Sequence, residues 1–122
     1  NRPYIVLEAC FHCKPGDPEK IAAYMEELAA RRREKQPLEY PSAGSTFKRP
    51  AGHFAGKLIM DAGLRGYSVG DAQVSEKHCG FIVNRGNATS SDINRLIETV
   101  QQQVEEQFDV KLEPEVIRVG KF

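Results

Sequence analysis

Residues 78–108, HCGFIVNRGNATSSDINRLIETVQQQVEEQF, run from a strand through a turn into a long helix, and their reading decides the fold class. HCGFIVN (78–84) is rich in β-branched and aromatic residues and stops at RGN (85–87), a turn cluster. Thr89 then stands as an N-cap with Asp92 three residues on, close to a capping box although that motif prefers Glu or Gln. Ile93, Leu96, Ile97, Val100, Val104 and Phe108 recur at helical spacing as one apolar stripe. A strand feeding an amphipathic helix requires a helix layer on a sheet layer.

The flanks add to both layers. FAGKLIMDAG (54–63) predicts a short helix stopped by Gly63. GYSV (66–69) and AQV (72–74) predict two short strands around Gly70, and EVIRV (115–119) a final one. Residues 38–53 read as loop and short extended pieces. Near the start, YIVLEACFHC (4–13) predicts a strand ending at the KPGDP turn. Asp17 then caps a helix with Pro18 at its first position. Ile21, Met25 and Leu28, with Tyr24 beside them, give that helix an apolar stripe, and Pro37 ends it. The expectation is an α+β fold, a small mixed or antiparallel sheet packed with two longer helices and one short helix. No internal repeat or low-complexity tract interrupts it.

The 122 residues fit one domain or a piece of a larger protein. Because the chain begins NRPYIV without Met, we expect a cut or processed piece. Seventeen basic and seventeen acidic residues balance, so no global field draws the chain onto nucleic acid or anionic lipid. Arg31, Arg32 and Arg33 form the densest basic run. Consecutive helical residues spread around the cylinder, and Glu27 can pair with Arg31, so a solvated helix end is expected. No apolar run reaches the ~20 residues of a membrane span, and no secretory h-region is present. Three cysteines give no disulfide framework and suggest a reducing cytoplasm. Cys10 and Cys13 are three apart in a predicted strand and point to opposite faces, so a buried or incidental role is expected for them and no metal site is expected. Asn87-Ala88-Thr89 matches a glycosylation acceptor, but Thr89 already serves as a cap.

YPSAGSTFKRP (40–50) carries the first candidate chemistry. A lone loop serine is commonly a turn residue. Here Ala43 and Gly44 let a ligand approach the backbone, and Lys48 and Arg49 can hold a phosphate or carboxylate. The spacing is neither a P-loop nor a nucleophile elbow. A hydroxyl beside cations gives up its proton more readily, so Ser45 is a turn residue or a proton donor. Glu115, after Pro114 in LEPEV, reads by itself as an edge-strand carboxylate. It shares a strand face with Glu113 if both are in the strand.

Five motifs in order carry a resemblance: PSAGSTFKRP, AGKLIMDAGLRG, AQVSEKH, VNRGNATSSDI and LEPEVIRVG. Together they resemble the C-terminal part of the UDP-N-acetylenolpyruvoylglucosamine reductases. IVLEACF and ARRREKQPLEYPSAGS look like the family's lead-in. The resemblance implies an enzyme in which NADPH reduces FAD and the flavin reduces UDP-N-acetylglucosamine enolpyruvate to UDP-N-acetylmuramate for peptidoglycan. It implies that Ser45 supplies the proton and Glu115 assists at the reacting carboxylate. Arg49, Lys48 and His78 are implied substrate contacts. Asp71 departs from the pattern, which has a second Gly there. Residues 1–35 would be a strand and helix leading from an FAD-binding region, and residues 36–122 the substrate-binding domain. No G-x-G-x-x-G follows a strand, so these residues alone are expected to bind no FAD and to be inactive. A UDP-sugar-binding module without catalysis is the alternative; it would need Arg49 but neither Ser45 nor Glu115.

Overall fold

The computed structural model describes residues 5–120. It has two compact units, one ending at Arg31 and the next beginning at Arg32. The elements are α1 (Pro18–Lys35), β1 (Ser42–Ser45), α2 (Ala55–Asp61), β2 (Ser68–Val69), β3 (Ala72–Val74), β4 (Phe81–Asn84) and α3 (Ser90–Phe108). The four strands form one antiparallel sheet in the order β1-β4-β3-β2. This is the α+β class that the strand-to-helix run predicts.

In α1 the Asp17 carboxylate accepts the Glu19 N–H at 3.0 Å, as its capping position demands. Glu27 pairs with Arg31 one turn later. No α1 residue is buried, and Ile21, Tyr24, Met25 and Leu28 are all exposed.

In the second unit α3 lies across β2 and β3 and against α2. Its Leu96, Ile97, Val100 and Val104 are buried among Ala72, Val74, Ile82, Leu58, Ile59 and Leu112. Each such aliphatic side chain contributes about 1.5–3 kcal/mol relative to exposure. Phe108, the last member of the predicted stripe, is 37% exposed. Gln101 Nε2 donates to the Leu112 carbonyl at 2.8 Å, which ties the segment after α3 back onto the helix.

The turns follow their chemistry. At the end of α2 the Gly63 N–H bonds Met60 O and the Leu64 N–H bonds Ile59 O, with Gly63 at φ 76°. That is a Schellman ending, which needs the left-handed conformation a glycine adopts without strain. Gly70, at φ 56°, is the first central residue of the β2–β3 turn. Asp71 is not in the left-handed region; among the described non-glycine residues only Asp109, at the end of α3, has positive φ. The departure at Asp71 therefore introduces no strain. Its Oδ2 accepts the Asn87 N–H at 2.7 Å.

Thr89 and Asp92 form a full capping box. Thr89 Oγ1 accepts the Asp92 N–H at 3.1 Å, and Asp92 Oδ2 accepts the Thr89 N–H at 3.0 Å. The Thr89 hydroxyl, then the Thr89 N–H and Arg95, hold the Asp92 carboxyl below its ordinary range. A lowered folded value means that this contribution to stability is present above the unfolded value of about 3.9 and is lost as pH falls through the folded value. Thr89→Ala is expected to destabilise the domain by about 0.5–2 kcal/mol. It should also move the Asp92 titration upward, read from the carboxyl carbon shift by NMR. An unmoved titration would show that the hydroxyl does not set it.

Two predicted strands do not form. Residues 5–13 have no regular structure and are exposed, and residue 4 lies outside the described residues. A strand needs a ladder partner, and none of the described residues supplies one. Cys10 and Cys13 are accordingly free and exposed, so of the two expected roles the buried one does not hold. Residues 115–119 also form no strand; only a bridge between Phe47 and Pro114 is present. Continuing that ladder would require β1 to stay extended, but Gly44 sits at φ 89° and the β1–β4 register shifts between Ser42 and Ser45. Such a bulge bends the strand and ends the pairing.

Candidate active site

The bulge that ends the ladder also presents Ser45. The next two residues, Thr46 and Phe47, are buried and pin the chain. The Thr46 N–H donates to Gly80 O at 2.8 Å, and Thr46 Oγ1 accepts the Ile82 N–H at 3.2 Å. Ser45 stays exposed, and its hydroxyl has only a long contact of 3.4 Å to Phe47 O. It is free to turn toward a ligand.

The segment 46–48 lies antiparallel to 113–115. The Glu115 N–H donates to Thr46 O and the Lys48 N–H to Glu113 O, both at 2.9 Å. Pro114 sits between them, where the ladder asks for no N–H. This short pairing sets Glu115 beside Ser45 although they are far apart in sequence. Both line a recess of about 270 Å³ with Ala43 and Val116. Both also line a larger cleft of about 530 Å³.

Arg49 and His78 line that cleft too, so four of the five expected residues share one site. Lys48 does not line it; its ammonium pairs with Glu113 on an exposed surface. Arg49 lies over the Phe54 ring, 4.0 Å from its centroid, and its Nε donates to His53 O at 3.3 Å. Stacking on an aromatic face holds a guanidinium in a defined plane while leaving its remaining donors available.

The fold adds side chains that spacing did not indicate. Lys57, Arg65 and Lys77 bring three more cations to the cleft, and Glu76 one more carboxylate. Lys57 pairs with Asp61 at 2.7 Å, Lys77 with Glu39 at 3.6 Å, and Arg65 Nε donates to Glu76 O at 2.6 Å. Lys57 and Lys77 are thus offset by Asp61 and Glu39, whereas Arg49 and Arg65 donate to carbonyl oxygens and keep their charge for an anionic ligand. Gly56 and Gly80 were the available signal: an isolated glycine inside a predicted helix or strand marks a close approach of backbone. Cys79 also borders the cleft, but burial pushes its thiol up, opposed by Arg65. It stays a neutral thiol and a poor nucleophile.

Fold and cleft together define an α+β domain whose cleft sets the Ser45 hydroxyl and the Glu76 and Glu115 carboxylates among cations. Residues 36–119 match the family described as UDP-N-acetylenolpyruvoylglucosamine reductase, C-terminal domain, and the chain belongs to that family. It is 68% identical over 122 residues to the UDP-N-acetylenolpyruvoylglucosamine reductase of Agathobacter rectalis, covering 100% of this chain and 39% of the relative. It is 61% identical over 121 residues to the reductase of the same name from Listeria welshimeri, covering 99% of this chain and 41% of that one. A crystal structure of UDP-N-acetylenolpyruvylglucosamine reductase from Thermus caldophilus superposes with a TM-score of 0.64 at 38% identity, over 84% of this chain and 36% of that one. The chain thus spans about two fifths of the length of the curated relatives it matches.

The β4-to-α3 turn does not fit the pyrophosphate of a dinucleotide such as FAD. A pyrophosphate is held by bare N–H groups where a strand turns into a helix. At the β4-to-α3 turn those groups are taken by acids: Asp92 accepts the Thr89 N–H and Asp71 the Asn87 N–H. Two carboxylates at that turn repel a pyrophosphate. Among the described residues no helix is long and apolar enough to cross a membrane.

Proposed function

We propose that residues 36–122 are the substrate-binding domain of a reductase that converts UDP-N-acetylglucosamine enolpyruvate to UDP-N-acetylmuramate, with residues 1–35 as its lead-in. In this reading FAD is held by the rest of the full-length protein, NADPH is the reductant, and the bound flavin supplies the hydride. Nucleotide-sugar and NADPH chemistry places the work in the cytoplasm. The observation that supports it is the pairing of 46–48 with 113–115, which sets Ser45 and Glu115 on one cationic cleft.

This chain's residues act on the proton half of the reduction. Ser45 Oγ gives its proton to the alkene carbon that bears the carboxylate, and the alkoxide recovers a proton from water. Arg49, Lys57, Arg65 and Lys77 favour both the alkoxide and the charge that grows on the substrate carboxylate. Glu115 assists at that carboxylate as it gains enolate character. Arg49 binds substrate through its free donors.

In the full-length protein, Arg49→Ala is expected to raise KM by about tenfold or more, the cost of one charge-assisted hydrogen bond. Steady-state kinetics with UDP-N-acetylglucosamine enolpyruvate check it. A full-length protein supplied with FAD and NADPH that turns over none of this substrate would overturn the reading.

A further inference from the structure

The His78 imidazole has one nitrogen turned into the protein. Nδ1 accepts the Gly80 N–H at 3.1 Å, which requires Nδ1 to be unprotonated and places the proton on Nε2. The backbone on both sides is tied down: the His78 N–H donates to Ser75 Oγ at 3.2 Å, and the Phe81 N–H donates to His78 O at 3.0 Å. The ring also stands edge-on to Phe81, 5.0 Å between centroids. Little space surrounds it. A Cβ on Gly80 would lie 2.9 Å from His78 Cε1, and one on Gly56 would lie 3.3 Å from the same atom and 3.1 Å from Gly80 N. Two bare glycines therefore let the first turn of α2 and the 78–80 turn close on the imidazole.

Gly80 faces the catalytic hydroxyl as well. Its carbonyl accepts the Thr46 N–H at 2.8 Å, and the place where its Cβ would stand is 3.8 Å from Ser45 Oγ. Any shift of Gly80 is passed to Thr46 and so to its neighbour Ser45. We propose that His78 is a positioning residue for Ser45, acting through Gly80 from its Nδ1, and not a group that reads the substrate through Nε2. The inference rests on Ser45 being the proton donor.

Two substitutions in the full-length protein separate the roles. In His78→Asn the amide oxygen stands two bonds from Cβ, as Nδ1 does, and can still accept the Gly80 N–H. In His78→Gln the amide nitrogen stands three bonds from Cβ, as Nε2 does, and the acceptor for Gly80 is lost. The kcat of His78→Gln should fall below that of His78→Asn by about ten- to a hundredfold, since misplacing a reacting group by ~1 Å can cost that much. The loss should lie in kcat more than KM, with a larger solvent deuterium isotope effect on kcat in His78→Gln. The reverse order, or equal kinetics in the two variants, overturns the proposal; a raised KM confined to His78→Asn would assign His78 to direct substrate contact. The unsubstituted protein gives a second check: the imidazole nitrogen spectrum should show an unprotonated Nδ1, with slow exchange of the Gly80 and Thr46 amides. A proton on Nδ1 overturns the proposal whether or not the variants fold. If Ser45→Ala retains its kcat, the underlying reading fails instead, and these nitrogen and amide signals are unaffected by that failure.

Discussion

Ser45→Ala in the full-length protein is expected to lower kcat by about 10²–10⁴-fold, the range for loss of a positioned acid, with KM little changed. The hydroxyl does not anchor the fold: it is exposed and makes one long contact within its own turn. Its removal should leave the cleft intact, because the neighbouring Thr46 and Phe47 carry the packing. In the proposed reading substrate affinity depends on the cations, which the substitution does not touch. Steady-state kinetics with a calorimetric check of substrate binding read the result. A kcat within a few-fold of the parent would mean that another group gives the proton, and the Nε2–H of His78 in the same cleft would be the first to test.

Glu115→Ala is expected to cost about 10²–10³-fold in kcat, as for removal of one donor to a developing oxyanion. Glu115→Gln should recover part of that loss, since its amide N–H can donate a hydrogen bond to the developing oxyanion. The carboxylate belongs to the site because of the backbone: the Glu115 N–H is fixed on Thr46 O, one residue from Ser45. Neither substitution disturbs that bond. If both variants keep full kcat, Glu115 is a surface carboxylate at the cleft rim, and the proton half of the reaction rests on Ser45 alone.

The helices were legible because their signals are local. Thr89, Asp92 and the stripe from Ile93 to Val104 set α3, and Gly63 set the end of α2. The Gly70 turn gave the β2–β3 hairpin for the same reason. Strand character at 5–13 and 115–119 misled because a β-pattern describes a surface that suits a sheet, while a strand also needs a neighbour. Gly44 removes that neighbour at 116–119. In the site, the PSAGSTFKRP and LEPEV motifs pointed to Ser45 and Glu115, and their adjacency came only with the 46–48 pairing. Lys48 was named with Arg49 because they are consecutive, yet side chains alternate along an extended segment, and Lys48 turns to Glu113. Lys57, Arg65 and Lys77 converge from separate elements, a juxtaposition no linear spacing encodes.

The central claim is that Ser45 stands at the reacting carbon. The most direct measurement is a crystal structure of the full-length protein with UDP-N-acetylglucosamine enolpyruvate bound. It should place Ser45 Oγ about 3–3.5 Å from the alkene carbon that bears the carboxylate, the approach distance of reacting groups. A well-ordered substrate with Ser45 turned away, and a different donor at that distance, would contradict the account.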